Sequence, residues 1–181
     1  TFADSLRTIL RQDPDIILLG EIRDKETAEI AIQAGQTGHF VLSTIHTVDS
    51  IEVITRLRKL GVSSYDIGSV LRTSLAQRLV RRVCPECAKE RELTPVEIEE
   101  FKRIGKRYDY EFDLEGKHTY ETVGCDFCNH TGYYGRIAAN EILAINDDIK
   151  DMIVSDYIKN DDKEIEKQFG AITIHISNKE L

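Results

Sequence analysis

The four cysteines of this chain fall in two C-x-x-C pairs, Cys84-Pro85-Glu86-Cys87 and Cys125-Asp126-Phe127-Cys128. No other feature narrows the fold as much. Two residues between thiolates let both sulfurs face one ion from a single tight turn, and two such knuckles complete a tetrahedral S₄ site with Zn–S near ~2.3 Å. Four thiolates leave no open coordination position, so an ion held there is structural and not catalytic. The spacer, Ala88 to Gly124, is longer than in a compact zinc ribbon. Loop-closure entropy grows by only about 0.6 kcal/mol per doubling of length, so the spacer is compatible with the site and is expected to carry structure of its own. Two disulfides or a redox pair are the competing reading. The paired spacing and the absence of a secretory leader at Thr1 weigh for zinc. His130 could replace one ligand, though nothing requires it.

Upstream of the first pair the pattern is that of a parallel sheet with crossover helices. A short helix is expected over 3–12, ended by Pro14. Asp15-Ile16-Ile17-Leu18-Leu19-Gly20 is a continuous apolar run, which suits a strand buried on both faces. Asp24 can cap a helix reaching about Ala34, and Gly35 and Gly38 close it. His39 to Ile45 reads as a second buried strand. Asp49 with Glu52 makes a capping-box-like start for a helix bearing Val53, Ile54, Leu57 and Leu60. A further helix is expected over 64–73 and a strand over 76–83. Beyond Cys84 the chain becomes charged and interrupted, with a helix after Thr94-Pro95 and another from Asp147. Gly170 to Ser177 alternates like a strand.

The chain carries 24 basic and 32 acidic side chains, a net charge of −8. That balance repels phosphate backbones, so nucleic acid is not an expected partner. Arg78-Leu79-Val80-Arg81-Arg82 is a local basic exception, read as a solvated strand face. No apolar run approaches the roughly 18 residues of a membrane span. The chain opens without Met, and the expectation is a fragment of a longer cytoplasmic protein.

Glu21 follows the first apolar strand, at the end where parallel α/β sheets place ligands. The stretch Leu6 to Asp24, with Asp13-Pro14-Asp15 and Gly20-Glu21-Ile22-Arg23-Asp24, resembles the Walker B region of the secretion ATPase superfamily. These are the motors of type II secretion, type IV pilus assembly and DNA uptake. Thr37 to Thr47 is similar to that family's histidine box. The cysteine pairs, followed by Thr131-Gly132-Tyr133-Tyr134-Gly135-Arg136 and Asn140-Glu141-Ile142-Leu143, resemble its zinc-bearing assembly branch.

The resemblance implies a partial RecA-like α/β fold with a small tetracysteine subdomain. Its parts are residues 1–83 (ATPase core), 84–135 (zinc subdomain), 136–158 (return to the core) and 159–181 (an atypical tail). It implies Glu21 as the Walker B carboxylate, with His46 and His39 sensing the γ-phosphate. Arg7, Arg11, Asp15 and Arg23 would lie on the nucleotide side, Asp15 positioning the strand and Arg23 pairing with a carboxylate. A strand-end histidine packs as readily as it catalyses, and for His39 both readings stand. The implied cofactors are structural zinc, with ATP and magnesium in the parent. The implied partners are five further copies in a homo-hexamer and an inner-membrane platform protein, which would hold the motor peripherally at that membrane. The sequence contains no G-x-x-x-x-G-K-[ST], so the expectation is latent activity in this chain alone. The alternative is a non-catalytic, zinc-stapled docking module for the same platform.

Overall fold

The computed structural model describes residues 5, 8–108, 111–155 and 173–176. The chain divides into two compact units, Thr1–Ala76 with Glu141–Thr173 and Gln77–Asn140 with Ile174–Leu181.

The first unit begins with a β–α–β crossover. Strand β1 (Ile16–Leu19) and strand β2 (Phe40–Ser43) are parallel, with Ile16 opposite Phe40 and Leu19 opposite Ser43. Helix α1 (Lys25–Gln36) joins them. Asp24 caps α1 by accepting the Thr27 N–H at 2.8 Å. Gly38, at φ +99°, turns the chain into β2 in a conformation that side chains with a Cβ resist. Ile17 and Leu19 pack on Ile30, Ala31 and Ala34 of α1. The expectation of two-sided burial fails here. Ile17 and Leu19 are 2% and 4% exposed, whereas Ile16 and Leu18 on the other face are 64% and 78% exposed. Phe40 and Leu42 of β2 are exposed as well. Among the described residues this strand pair has a helix against one face only, so period-two burial replaces the continuous burial that its apolar run suggests.

The remaining helices of this unit enclose its larger core. Helix α2 (Glu52–Lys59) ends near Gly61, and helix α3 (Ser64–Val70) follows. Helix α3 stops before the expected 73 because Leu71 turns extended ahead of strand β3 (Thr73–Val83). The pair Asp49 and Glu52 does form a reciprocal cap. Asp49 Oδ1 accepts the Glu52 N–H at 2.8 Å, and Glu52 reaches back to the Val48 N–H. Ile54 and Leu57 of α2 meet Ile67 of α3, Leu143, and Ile149 and Ile153 of a helix running Asp147–Val154. Each such fully buried side chain contributes roughly 1.5–3 kcal/mol.

In the second unit, strand β4 (Ala88–Glu92) pairs antiparallel with strand β5 (His118–Thr122). Between them lies helix α4 (Pro95–Tyr108), which starts after Thr94-Pro95 as expected and is capped reciprocally by Thr94 and Glu97. The Glu97 carboxylate also receives both terminal nitrogens of Arg91, at 2.8 and 2.7 Å. Strand β6 (Tyr133–Ala144) lies between β3 and strand β7 (Thr173–Ile176) in a three-stranded sheet; the helix from Asp147 is α5. Strand β7 falls within the alternating stretch 170–177; the rest of the tail from 156 onward, and residues 3–4 and 6–7 of the first expected helix, lie outside the described residues. Among the described residues no helix is long and apolar enough to cross a membrane.

Candidate functional site

The C-terminal ends of β1 and β2 bring three of the expected residues together. Past Leu19 the two chains stay bonded. Thr44 Oγ1 donates to the Gly20 carbonyl at 2.7 Å, and the Ile22 N–H donates to the Thr44 carbonyl at 2.9 Å. These bonds align Glu21 with the segment leading to His46. Glu21 Oε2 lies 3.3 Å from His46 Nε2 and 2.5 Å from Arg23 Nε. The Glu21 side chain is one-third exposed and that of His46 is 81% exposed, so the group faces open solvent and is reachable by a ligand. A carboxylate flanked by an imidazole and a guanidinium can orient a water, accept its proton, or hold a hydrated divalent cation.

The other expected residues lie elsewhere. His39 sits at the N-terminal end of β2, opposite the end that carries His46. Its Nδ1 is 3.1 Å from both Thr37 Oγ1 and the Ala34 carbonyl. It closes the C-terminus of α1, at the strand end away from Glu21. Asp15 is exposed at the start of β1, and its carbonyl accepts the Phe40 N–H at 3.0 Å. That contact sets the β1–β2 register and leaves Asp15 at the strand end away from Glu21. Arg11 is exposed in the turn before β1. Arg7 lies outside the described residues.

The second candidate is the cysteine cluster. The four sulfurs lie within 4.8 Å of one another. Cys84–Cys125 and Cys87–Cys128 are 3.9 Å apart, and Cys125–Cys128 3.8 Å. A tetrahedron with ~2.3 Å metal–sulfur bonds has an edge of about 3.8 Å, so the thiols fit a zinc ion. The second knuckle is shaped by its backbone. The Cys128 and His130 N–H groups donate to the Cys125 carbonyl, and Asn129 and His130 both adopt positive φ. Gly132, at φ +74°, passes so close to Thr122 that a Cβ would stand 2.6 Å from the threonine Cβ. Spacing alone did not single out Gly132, although Thr131-Gly132 after the second pair was a visible signal. Its N–H donates to Cys128 Sγ at 3.2 Å, as does that of Cys125.

The thiols differ in acidity. Burial pushes Cys87 up to about 12, aided by the other three thiols and opposed by the Gly124 backbone. For Cys128 burial also opposes ionisation. The two backbone N–H donors and the thiols of Cys125 and Cys87 outweigh it, lowering Cys128 to about 6. Four sulfurs this close cannot all ionise beside one another unless a cation sits among them. His130 is engaged elsewhere, with Nε2 3.1 Å from Asp126 Oδ1, and the cysteines form a complete set without it.

Known proteins resemble this chain over most of its length. The family described as Type II/IV secretion system protein matches residues 1–179, a span that includes the stretch after Ser155 set apart above. The chain is 45% identical over 174 residues to the type IV pilus assembly ATPase PilB of Thermus thermophilus, covering 96% of this chain and 19% of that protein. It is 46% identical over 156 residues to the type II secretion system ATPase E of Vibrio cholerae, covering 86% and 29%. Among solved structures, the pilus retraction motor PilT with bound ADP matches with a TM-score of 0.56 and 26% identity, over 87% of this chain and 33% of that one. The chain thus spans between about a fifth and a third of the length of these relatives.

Proposed function

Because this chain belongs to the Type II/IV secretion system protein family, we propose that it is the Walker B half of an ATPase core that powers type II secretion or type IV pilus assembly. The observation that carries this reading is the placement of Glu21 and His46 at the same end of two adjacent parallel strands, 3.3 Å apart. Magnesium and ATP, cradled by a phosphate-binding loop elsewhere in the parent protein, supply charge neutralisation and the transferable phosphoryl group.

The chain's own residues do the rest. Glu21 orients the attacking water and receives its hydrogen bond. Arg23 holds that carboxylate in place from one side, at 2.5 Å. His46, exposed on the other side, responds to phosphate charge near Glu21. Arg7 and Arg11 contribute positive charge before the strand. His39 and Asp15 serve the strand and helix ends on which the site is built. The cysteine unit holds structural zinc.

In the parent we expect a homo-hexamer, docked on an inner-membrane platform protein from the cytoplasmic side. A non-catalytic docking role draws on Phe127 and Tyr134, a half-exposed ring pair 4.4 Å apart on the zinc unit. One experiment separates the readings. In the full-length parent, Glu21→Gln should lower ATP turnover by roughly 10²-fold or more while a fluorescent ATP analogue still binds. Turnover at the wild-type rate in that variant rejects the catalytic reading.

A further inference from the structure

Ser50 is fully buried, and a carboxylate meets it from 91 residues further along the chain. Glu141 Oε1 accepts the Ser50 backbone N–H at 2.9 Å and the Ser50 hydroxyl as well. Glu141 belongs to the Asn140-Glu141-Ile142-Leu143 motif, to which the reading above gives no task. Its neighbour Leu143 is buried in the same core as Ile51 and Ile54, which fixes this part of β6 against the start of α2.

The segment that Glu141 grips leads from His46 to α2. Several of its other hydrogen bonds are local. Thr47 Oγ1 donates to the Asp49 carbonyl at 3.0 Å, the Val48 N–H donates to Glu52, and Asp49 caps Ile51 and Glu52. Those bonds fasten the segment to its own helix, and Ile51 seats the helix start in the core; the segment's long-range polar anchor lies at Ser50. Glu141 supplies that fixed point four residues beyond His46. A charged acceptor with two donors on one oxygen is a stiff contact, because charge-assisted bonds are short and strong. His46 itself is exposed, so its distance from Glu21 depends on the segment that carries it.

We infer that Glu141 is a positioning residue for the nucleotide-side site, setting the His46 segment through Ser50. The inference rests on the catalytic role proposed above for Glu21 and His46. Glu141 touches neither of these and acts only by holding the segment between them and α2.

The test is a double-mutant cycle in the full-length parent. Glu141→Ala should lower kcat roughly tenfold or more, with ATP KM and zinc content unchanged, since sub-ångström to ångström misplacement costs up to about 10²-fold. Glu141→Gln, which keeps an acceptor oxygen, should recover part of that loss. His46→Gln should be slow by itself. If Glu141 works through His46, adding Glu141→Ala to His46→Gln should cause little further loss. Additive losses, or wild-type kcat in Glu141→Ala while His46→Gln is slow, overturn the inference and leave the catalytic reading intact. Wild-type turnover in His46→Gln removes the premise and the inference with it.

Discussion

Removing the metal from the cysteine cluster should unfold one unit and spare the other. Among the described residues of 77–140, the buried hydrophobic side chains are Cys84 and Cys128. Among those described residues there is no aliphatic core to fall back on, so an ion held by the four thiolates would stand where a core would be. A bound metal would also close a loop. Cys84 and Cys125 are 41 residues apart, and a cross-link over such a loop removes about 4 kcal/mol of chain entropy from the unfolded state by the disulfide relation. The apparent zinc-binding energy of small zinc peptides, about 10–16 kcal/mol, already includes such a closure contribution. Without the ion, β4, β5 and α4 retain mainly surface contacts such as Arg91 with Glu97, and exposed pairs of that kind contribute little. The first unit differs, with Ile54, Ile67, Leu143, Ile149 and Ile153 all fully buried in one cluster. A strong chelator at neutral pH should therefore release one zinc per chain. Hydrogen exchange read by mass spectrometry should then show lost protection across 84–132 and retained protection across α1 and α2. Full zinc release with protection at 84–132 unchanged would refute the reasoning, as would folded protein that releases no zinc.

Two further outcomes follow from packing and charge. Ile54→Ala removes a side chain with no exposed surface from the centre of the first unit, and should cost about 2–5 kcal/mol in urea unfolding with zinc content unchanged. For Glu97, the Arg91 guanidinium first, and then the Thr94 backbone and hydroxyl, hold the carboxyl well below the usual carboxylate range. A depressed folded value means the contribution is complete above the ordinary glutamate range, near pH ~4.3, and is lost only as pH falls through the lower folded value. Carboxyl NMR between pH 6 and 3 should find Glu97 flat in the wild type, and in Arg91→Gln its titration should move up into that window.

What could be read in the sequence was what is settled within a few residues. The C-x-x-C spacing is a local demand of one ion on one turn, and the four sulfurs do converge. The helix starts at Asp24 and at Asp49 with Glu52 were legible because a cap bonds three residues ahead, and Thr94-Pro95 marked another because proline suits a first helical turn. The two histidines show the limit. His39 and His46 flank one strand, and their residue types say nothing about which end gathers ligands. The rule that parallel sheets work at their C-terminal ends favoured His46 and was available beforehand. The Glu141–Ser50 contact spans 91 residues and had no local signature.

The open face of β1 and β2 carries a different lesson, because there the sequence pattern and the packing disagree. Ile16-Ile17-Leu18-Leu19 has the composition of a strand covered on both sides, yet Ile16 and Leu18 face outward beside Phe40 and Leu42, which pair with them in register. Four large apolar side chains side by side on one sheet face are costly to hydrate, at about 25 cal/mol for each Å² left in water. Each could be replaced by a polar residue with no loss of the contacts made to α1. That they are apolar is intelligible if the strand pair is one part of a wider layered core. The relatives run about three to five times the matched length, so they contain the material for a second covering layer. On the proposed reading the same layer would bring the phosphate-binding loop to Glu21. The open apolar face and the carboxylate at the end of its first strand would then be completed together, by one layer packed on β1 and β2.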